Sequence, residues 1–479
     1  MMQAIDKSGT EKSSLALGIA LILLALLYGA VASLVGPLYA VLLLLFPVGG
    51  SAILLDYRIG VWFLVLLLPF AATHLIPRQI LGVTGLNPVN ALLLVTLVSV
   101  VIAYYFGRPR LQLIAMPTPL ILYLGLVGFG AVLGSFSAEH AIPRVTSDGS
   151  IEIYTKTRYL LEALLKPMII VVVAGLLAIQ ARNGSVRSVL MALALAALVF
   201  FGITVGHLLV TGASLHVLAS SHTRGFLSWT GMHANELGLL ANMFFAVLFF
   251  AFLKAQGVVQ RMALFLAAGA SGLMAALTFS RGAFIGILLV GMYFMVSRRR
   301  AGQLFIGLLV VALAALFLPH AFVERATTGF ARADLNIITA GRLDDIWRPL
   351  WPWIWESPLW GHGLSSTWWA PANERGAMLP VGHPHSAYLG VLLDSGLVGV
   401  VITAVFFWSM WVLFRRLMRV HPEPLWRGVF EGGLVCMLIL FFQGLTDDRF
   451  TPTYSQTALW LVYGLALGHV SAISAASSE

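Results

Sequence analysis

Apolar runs near the length of a membrane span recur along the whole chain, at roughly 15–35, 38–55, 59–76, 88–106, 118–136, 160–181, 188–212, 232–253, 262–279, 282–297, 303–319, 386–414, 428–445 and 453–470. A hydrocarbon layer of ~30 Å demands about 20 such residues of a helix. Only helices and closed barrels satisfy every backbone hydrogen bond in lipid, and these runs lack the alternation of barrel strands. The expected fold is therefore all-α: a polytopic transmembrane helical bundle of about 12–14 helices with one long outer loop. Three regions follow: an N-terminal bundle over 1–319, the loop with short or interfacial helices over 320–385, and C-terminal spans over 386–479.

The composition excludes an ordinary soluble domain. Of 479 residues, 59% are hydrophobic and 10% charged, with a mean hydropathy of +0.92. The net charge of +9 is scattered over short loops, which fits membrane topology and anionic lipid and not nucleic acid. With one cysteine, Cys436, no intramolecular disulfide can form. Lys7 and Lys12 precede the first run, and Ala30-Val31-Ala32 resembles a signal-peptidase site; because apolar sequence continues to Phe46, an uncleaved first helix is expected.

Basic residues orient the bundle. Arg108 with Arg110, Arg182 with Arg187, Lys254 with Arg261, Arg298-Arg299-Arg300, and Arg415, Arg416 and Arg419 fall on alternate loops, which the positive-inside rule makes cytoplasmic. Loops 137–159, 213–231 and 320–385 then lie outside, with both termini inside. Arg78, Arg224, Arg281 and Arg449 run against this bias.

Several candidates for chemistry gather at the outer face: Arg224, Arg281, Arg342, His383 and His385. Each arginine has a bland alternative, snorkelling to ordinary lipid phosphates. For His385 the bland alternative is a cap on the helix that follows. In the outer loop, Gly341-Arg342-Leu343-Asp344-Asp345-Ile346-Trp347 begins a short helix that Pro349 and Pro352 should break, with Asp345 and Arg348 paired three residues apart. Seven of the 13 tryptophans, Trp347, Trp368 and Trp369 among them, fall between 347 and 369. They read as an interfacial aromatic belt or as a surface for stacking sugar rings. The acidic pairs Asp344-Asp345 and Asp447-Asp448 keep a Mg²⁺ reading open. Zinc at His383 and His385 lacks a second His or Cys pair at ligand spacing.

One stretch carries a resemblance. His385-Ser386, then nine residues, then Gly396, two residues, and Gly399 resembles the signature of the O-antigen ligase and polymerase family of membrane glycosyltransferases. Ser280-Arg281-Gly282, Gly341-Arg342 and Pro358-Leu359-Trp360-Gly361-His362-Gly363 precede it in the family's order, and Arg224 ahead of Asn235 fits more loosely. Ser386 stands where Asn is commoner, and Asp394 where Glu is frequent.

The resemblance implies transfer of a glycan from undecaprenyl diphosphate to an acceptor hydroxyl, at the periplasmic face of the bacterial inner membrane, with no cofactor or metal. It implies His385 as general base with His383 in support, Arg224, Arg281 and Arg342 as a diphosphate clamp, and Trp347, Trp368 and Trp369 as possible sugar contacts. The chemistry is consistent: guanidinium groups stay charged and bind phosphate oxygens in pairs, and imidazole, with an ordinary pKa of about 6.5, is basic near neutrality. Attack by the acceptor would invert the anomeric centre. A single large outer loop ahead of the histidine motif favours a ligase joining O-antigen to the lipid A-core oligosaccharide, with a polymerase as its near neighbour. A transporter or flippase is disfavoured, because charges sit at helix ends and no paired repeat is visible.

Overall fold

The computed structural model describes Ser33 and residues 49–77, 79–80, 83–85, 87–107, 111–141, 143–145, 151–152, 155–212, 230–298, 334–339, 341–378, 381–446 and 449–476. Arg224, Asp447, Asp448, the expected span 303–319 and all of 15–35 but Ser33 lie outside these residues. The principal helices are α1 (Tyr57–Leu67), α2 (Pro88–Phe106), α3 (Thr118–Ser135), α4 (Lys156–Asn183), α5 (Arg187–Thr211), α6 (Ala234–Lys254), α7 (Val258–Leu277), α8 (Arg281–Ser297), α9 (Arg348–Glu356), α10 (Ala387–Val420), α11 (Pro424–Gln443) and α12 (Thr457–Ala476). Among the described residues nine helices are long and apolar enough to span a bilayer, and the extended structure is two antiparallel pairings of two residues each, Gln79–Ile80 with Val83–Thr84 and Arg144–Val145 with Ile151–Glu152. The chain is an all-α polytopic membrane protein.

Contacts divide the chain into two units, Met1–Gly60 with Ala91–Leu111, and Val61–Asn90 with Gln112–Glu479. In the first, the Ser99 hydroxyl donates to the Leu54 carbonyl at 3.4 Å. The second holds every candidate site residue that the structure describes.

Two glycine seams explain how the second unit packs. In α11 a Cβ at Gly428 or Gly432 would meet the α6 backbone at Phe250 or Val247; in α12 a Cβ at Gly464 or Gly468 would meet the α4 backbone at Ala174 or Ala178. Small residues four apart let helix backbones touch, which is how helices associate where lipid removes the hydrophobic drive. Aromatic stacking joins α3 to α10, with Tyr123 and Phe406 centroids 4.3 Å apart. The outward faces of α3 and α10 expose Leu122, Phe129, Val401 and Val405, as lipid contact requires.

Two π turns share one cause. Leu161–Leu165 lies inside α4 just before Pro167, and Leu343–Trp347 runs into α9 just before Pro349. A proline cannot donate to the carbonyl four residues back and crowds it, and a widened turn there relieves the conflict. The prolines therefore do not break the loop helix as the sequence suggested. It continues from Arg348 to Glu356 with Pro349 in its first turn and Pro352 inside.

Candidate active site

The loop 383–386 leads into α10. Ser386 caps that helix, its Oγ accepting from the Leu389 N–H at 3.4 Å, and the Ala387 N–H donates to the Gly444 carbonyl at 2.7 Å. His385 has φ +51°, a left-handed conformation that costs a non-glycine residue about 1 kcal/mol. Its neighbours hold it there. The His385 N–H donates to His383 Nδ1 at 3.1 Å, the two rings lie 4.2 Å apart, and the Trp347 indole N–H donates to the Pro384 carbonyl at 2.8 Å. His383 Nδ1 is thus an acceptor, so neutral His383 carries its proton on Nε2.

Residues 443–446, the turn that ends α11, gather the other arms. The turn itself satisfies carbonyls at the end of α11: those of Leu440, Phe442 and Gln443 accept from the Gly444, Leu445 and Thr446 N–H groups, which leaves the Gly444 and Thr446 carbonyls to face other segments. Gly444 offers its carbonyl to the histidine loop, and Thr446 accepts from the Arg342 guanidinium. Arg281 opens α8, and a Cβ on the adjacent Gly282 would lie 3.0 Å from Gln443 Nε2. The Ser280 hydroxyl donates to Asn235 Oδ1 at 2.7 Å, tying this turn to the start of α6. There a capping box holds the helix end, with the His233 N–H donating to Glu236 at 3.0 Å and His233 Nδ1 accepting from the Asn235 N–H at 3.3 Å. The Arg281, Arg342 and His385 segments therefore meet at one turn.

Behind the histidine motif, α10 is interrupted at Gly396, with φ +61° and ψ −163°. The segment 358–363 fills the interruption. Leu397 and Val398 donate to the Pro358 and Leu359 carbonyls, and His362 and Gly363 donate to the Leu393 and Asp394 carbonyls, all at 2.9–3.2 Å. Asp394 caps the next turn, accepting from the Ser365 and Ser366 N–H groups at 3.0 Å and from the Ser366 hydroxyl at 2.8 Å. Burial pulls the His362 imidazole below its ordinary pKa, against a hydrogen bond to the Trp353 carbonyl.

The tryptophans divide. Trp368 and Trp369, 8% and 6% exposed, belong to the core that seats the loop on the bundle, beside Tyr159, Ile346, Leu350 and Leu393. Their burial corrects the expectation of sugar contact at these two positions, because their faces are already packed. Trp347 is half-buried and positions the histidine loop. Of the loop's indoles, Trp351, Trp355 and Trp360 are left exposed. Arg348 pairs with Asp344, one helical turn away, and not with Asp345.

A cavity of about 190 Å³ opens beside His383, Pro384 and Ser386, between α3, the π turn of α4 and residues 449–455. His385, Arg281 and Arg342 are not among its walls. Among the described residues, no three His, Cys, Asp or Glu side chains are grouped to hold a metal ion.

Residues 262–404 match the sequence profile described as O-antigen ligase. This stretch is an O-antigen ligase family domain. The match supports a glycan-transferring membrane enzyme of the ligase and polymerase type. No curated protein matches the chain significantly. The O-antigen ligase domain contains Arg281, Arg342, His383 and His385, but the turn at 443–446 that gathers them lies beyond it. Sequence reasoning missed that turn because it contributes backbone carbonyls, which leave no mark in side-chain identity. Arg449 did leave one, as a cation against the charge bias, and it reaches Ser365 at 3.5 Å on the cavity wall.

Proposed function

We propose that this enzyme is an O-antigen ligase of the bacterial inner membrane. It moves the glycan from undecaprenyl diphosphate to the lipid A-core oligosaccharide at the periplasmic face, with inversion and without a metal. The observation that carries this reading is the meeting of the Arg281, Arg342 and His385 segments at the turn 443–446. Two guanidinium groups and one imidazole, carried on segments that meet at one turn, would supply what the transfer needs: positive charge where the diphosphate leaves, and a base where the acceptor hydroxyl attacks.

His385 is the base. Its strained backbone, held by His383, Trp347 and Gly444, sets the ring at the start of α10. A positioned base contributes about 10²–10⁴-fold in rate. His383 positions it through the hydrogen bond to its N–H. Arg281 and Arg342 bind the leaving diphosphate, with Arg224 as a third arm.

The lipopolysaccharide of a deletion strain tests the assignment. A ligase deletion leaves lipid A-core without polymer while lipid-linked polymer accumulates. A ladder stopped at a single repeat would identify a polymerase instead, with the same donor and another lipid-linked unit as acceptor.

A further inference from the structure

We infer that the cavity beside His383 is a subsite for one pyranose ring of a substrate glycan, separate from the diphosphate clamp; this rests on the transferase reading above. The first observation is an orphaned hydroxyl. Thr367 is 1% exposed, lines the cavity, and its Oγ1 has no hydrogen-bond partner among the described residues. A buried hydroxyl without a partner is costly, and Thr367 is one of the residues that line this cavity. Its position is fixed, since Asp394 caps the short turn Ser366–Trp369 on which it sits.

The second observation is the charge of the walls. Glu162, Glu236 and Asp394 supply three carboxylates against the two cations Lys166 and Arg449, and Lys166 is paired with Glu162 at 3.6 Å. Such a wall offers carboxylate oxygens that accept hydrogen bonds from hydroxyls, with Glu162 also paired with Arg158 at 3.8 Å. Arg281 and Arg342 stand outside it. Size agrees as well: 190 Å³ of water-accessible space holds roughly a dozen water-sized groups, about one hexose with its hydroxyls. The ring's apolar face meets Tyr454, which is half-buried and also lines the cavity. Rigid aromatic surface beside directed polar groups is how small polar ligands are oriented.

The ring belongs either to the donor glycan or to the acceptor, and binding measurements separate the two. Full-length protein in nanodiscs is titrated with three probes: undecaprenyl diphosphate, deacylated lipid A-core oligosaccharide, and the lipid-free O-antigen repeat. Thr367→Val keeps volume and removes the hydroxyl; Thr367→Ser restores it; Ala163→Phe fills the cavity. Thr367→Val is expected to weaken one saccharide about five- to tenfold, the worth of one buried hydrogen bond. Thr367→Ser recovers it, Ala163→Phe weakens it further, and undecaprenyl diphosphate binding stays within about twofold. Loss confined to the core oligosaccharide makes this an acceptor subsite; loss confined to the repeat makes it a donor subsite.

The proposal is overturned if neither saccharide binds the wild-type protein. It is also overturned if Thr367→Val and Ala163→Phe leave saccharide binding unchanged, or weaken only undecaprenyl diphosphate. Wild-type protein that binds saccharide yet transfers nothing would sink the transferase reading and leave the subsite standing.

Discussion

The Ser280 hydroxyl donates to the Asn235 side-chain oxygen at 2.7 Å, so the residue before Arg281 is moored to the start of α6. Ser280 is 6% exposed, and a buried hydrogen bond of this kind is worth about 1 kcal/mol. In a double-mutant cycle with Ser280→Ala and Asn235→Ala, the coupling in unfolding free energy should be about 1 kcal/mol. Transfer should fall several-fold in either single variant, because the Arg281 backbone loses its mooring. Additive effects on stability would mean that the pair carries no energy.

His385 gives the second prediction. Replacement by Asn removes the base but tolerates the left-handed backbone better than Ala does. Both His385→Asn and His385→Ala should abolish transfer at near-normal membrane abundance. His383→Ala should be milder, since it loosens the His385 N–H without removing the base. Full turnover in either His385 variant would end its role as base, and equal loss at both histidines would point to a shared metal.

Much of this was legible in the sequence for physical reasons. Lipid forces each span to be long, apolar and helical, so Pro88–Phe106 falls where its apolar run does and α3, α5 and α8 within a residue or two of theirs. Arg281, Arg342 and His385 stand out in the sequence because ionisable side chains are rare beside apolar spans. What was hidden depends on three-dimensional neighbours. The Gly444 and Thr446 carbonyls become acceptors only once α11 ends beside α10 and the loop. Trp368 and Trp369 are indistinguishable in sequence from the exposed Trp351 and Trp355, and only packing against Tyr159 and Leu393 separates them.

Gly396 gives the third prediction. With φ +61° and the Leu359 carbonyl where a Cβ would go, alanine there meets both backbone strain and a collision. The strain alone costs about 1–3 kcal/mol. Gly396→Ala should lower the melting temperature in detergent and reduce transfer, through displacement of segment 358–363 and the Asp394 cap. Unchanged melting and activity would show that the break in α10 is not required.

Topology is testable by labelling. On the basic-loop reading, Glu374 faces the periplasm and Arg416 the cytoplasm. An impermeant thiol reagent should mark Glu374→Cys in intact spheroplasts and leave Arg416→Cys unmarked until the membrane is opened. The opposite pattern would place the whole candidate site on the wrong side.

The arginine clamp is the most discriminating prediction, because each arginine has a structural rival for its role. Arg342 also holds the turn after α11 through the Thr446 carbonyl, a task that another cation could perform. Lysine keeps the charge, so a cap or a lipid anchor should survive Arg342→Lys and Arg281→Lys with little change. A diphosphate clamp should not, because lysine lacks the planar fork that holds two phosphate oxygens at once. Transfer by purified enzyme should therefore fall substantially for each Arg→Lys variant and further for each Arg→Ala, while melting temperature changes little for the lysines. The reaction should also run in EDTA. Near-normal turnover in both lysine variants would leave the arginines as structural caps. If EDTA stopped the reaction and Mg²⁺ restored it, the leaving diphosphate would need a metal, and the carboxylates of Asp344 and Asp345 would move to the centre of the mechanism.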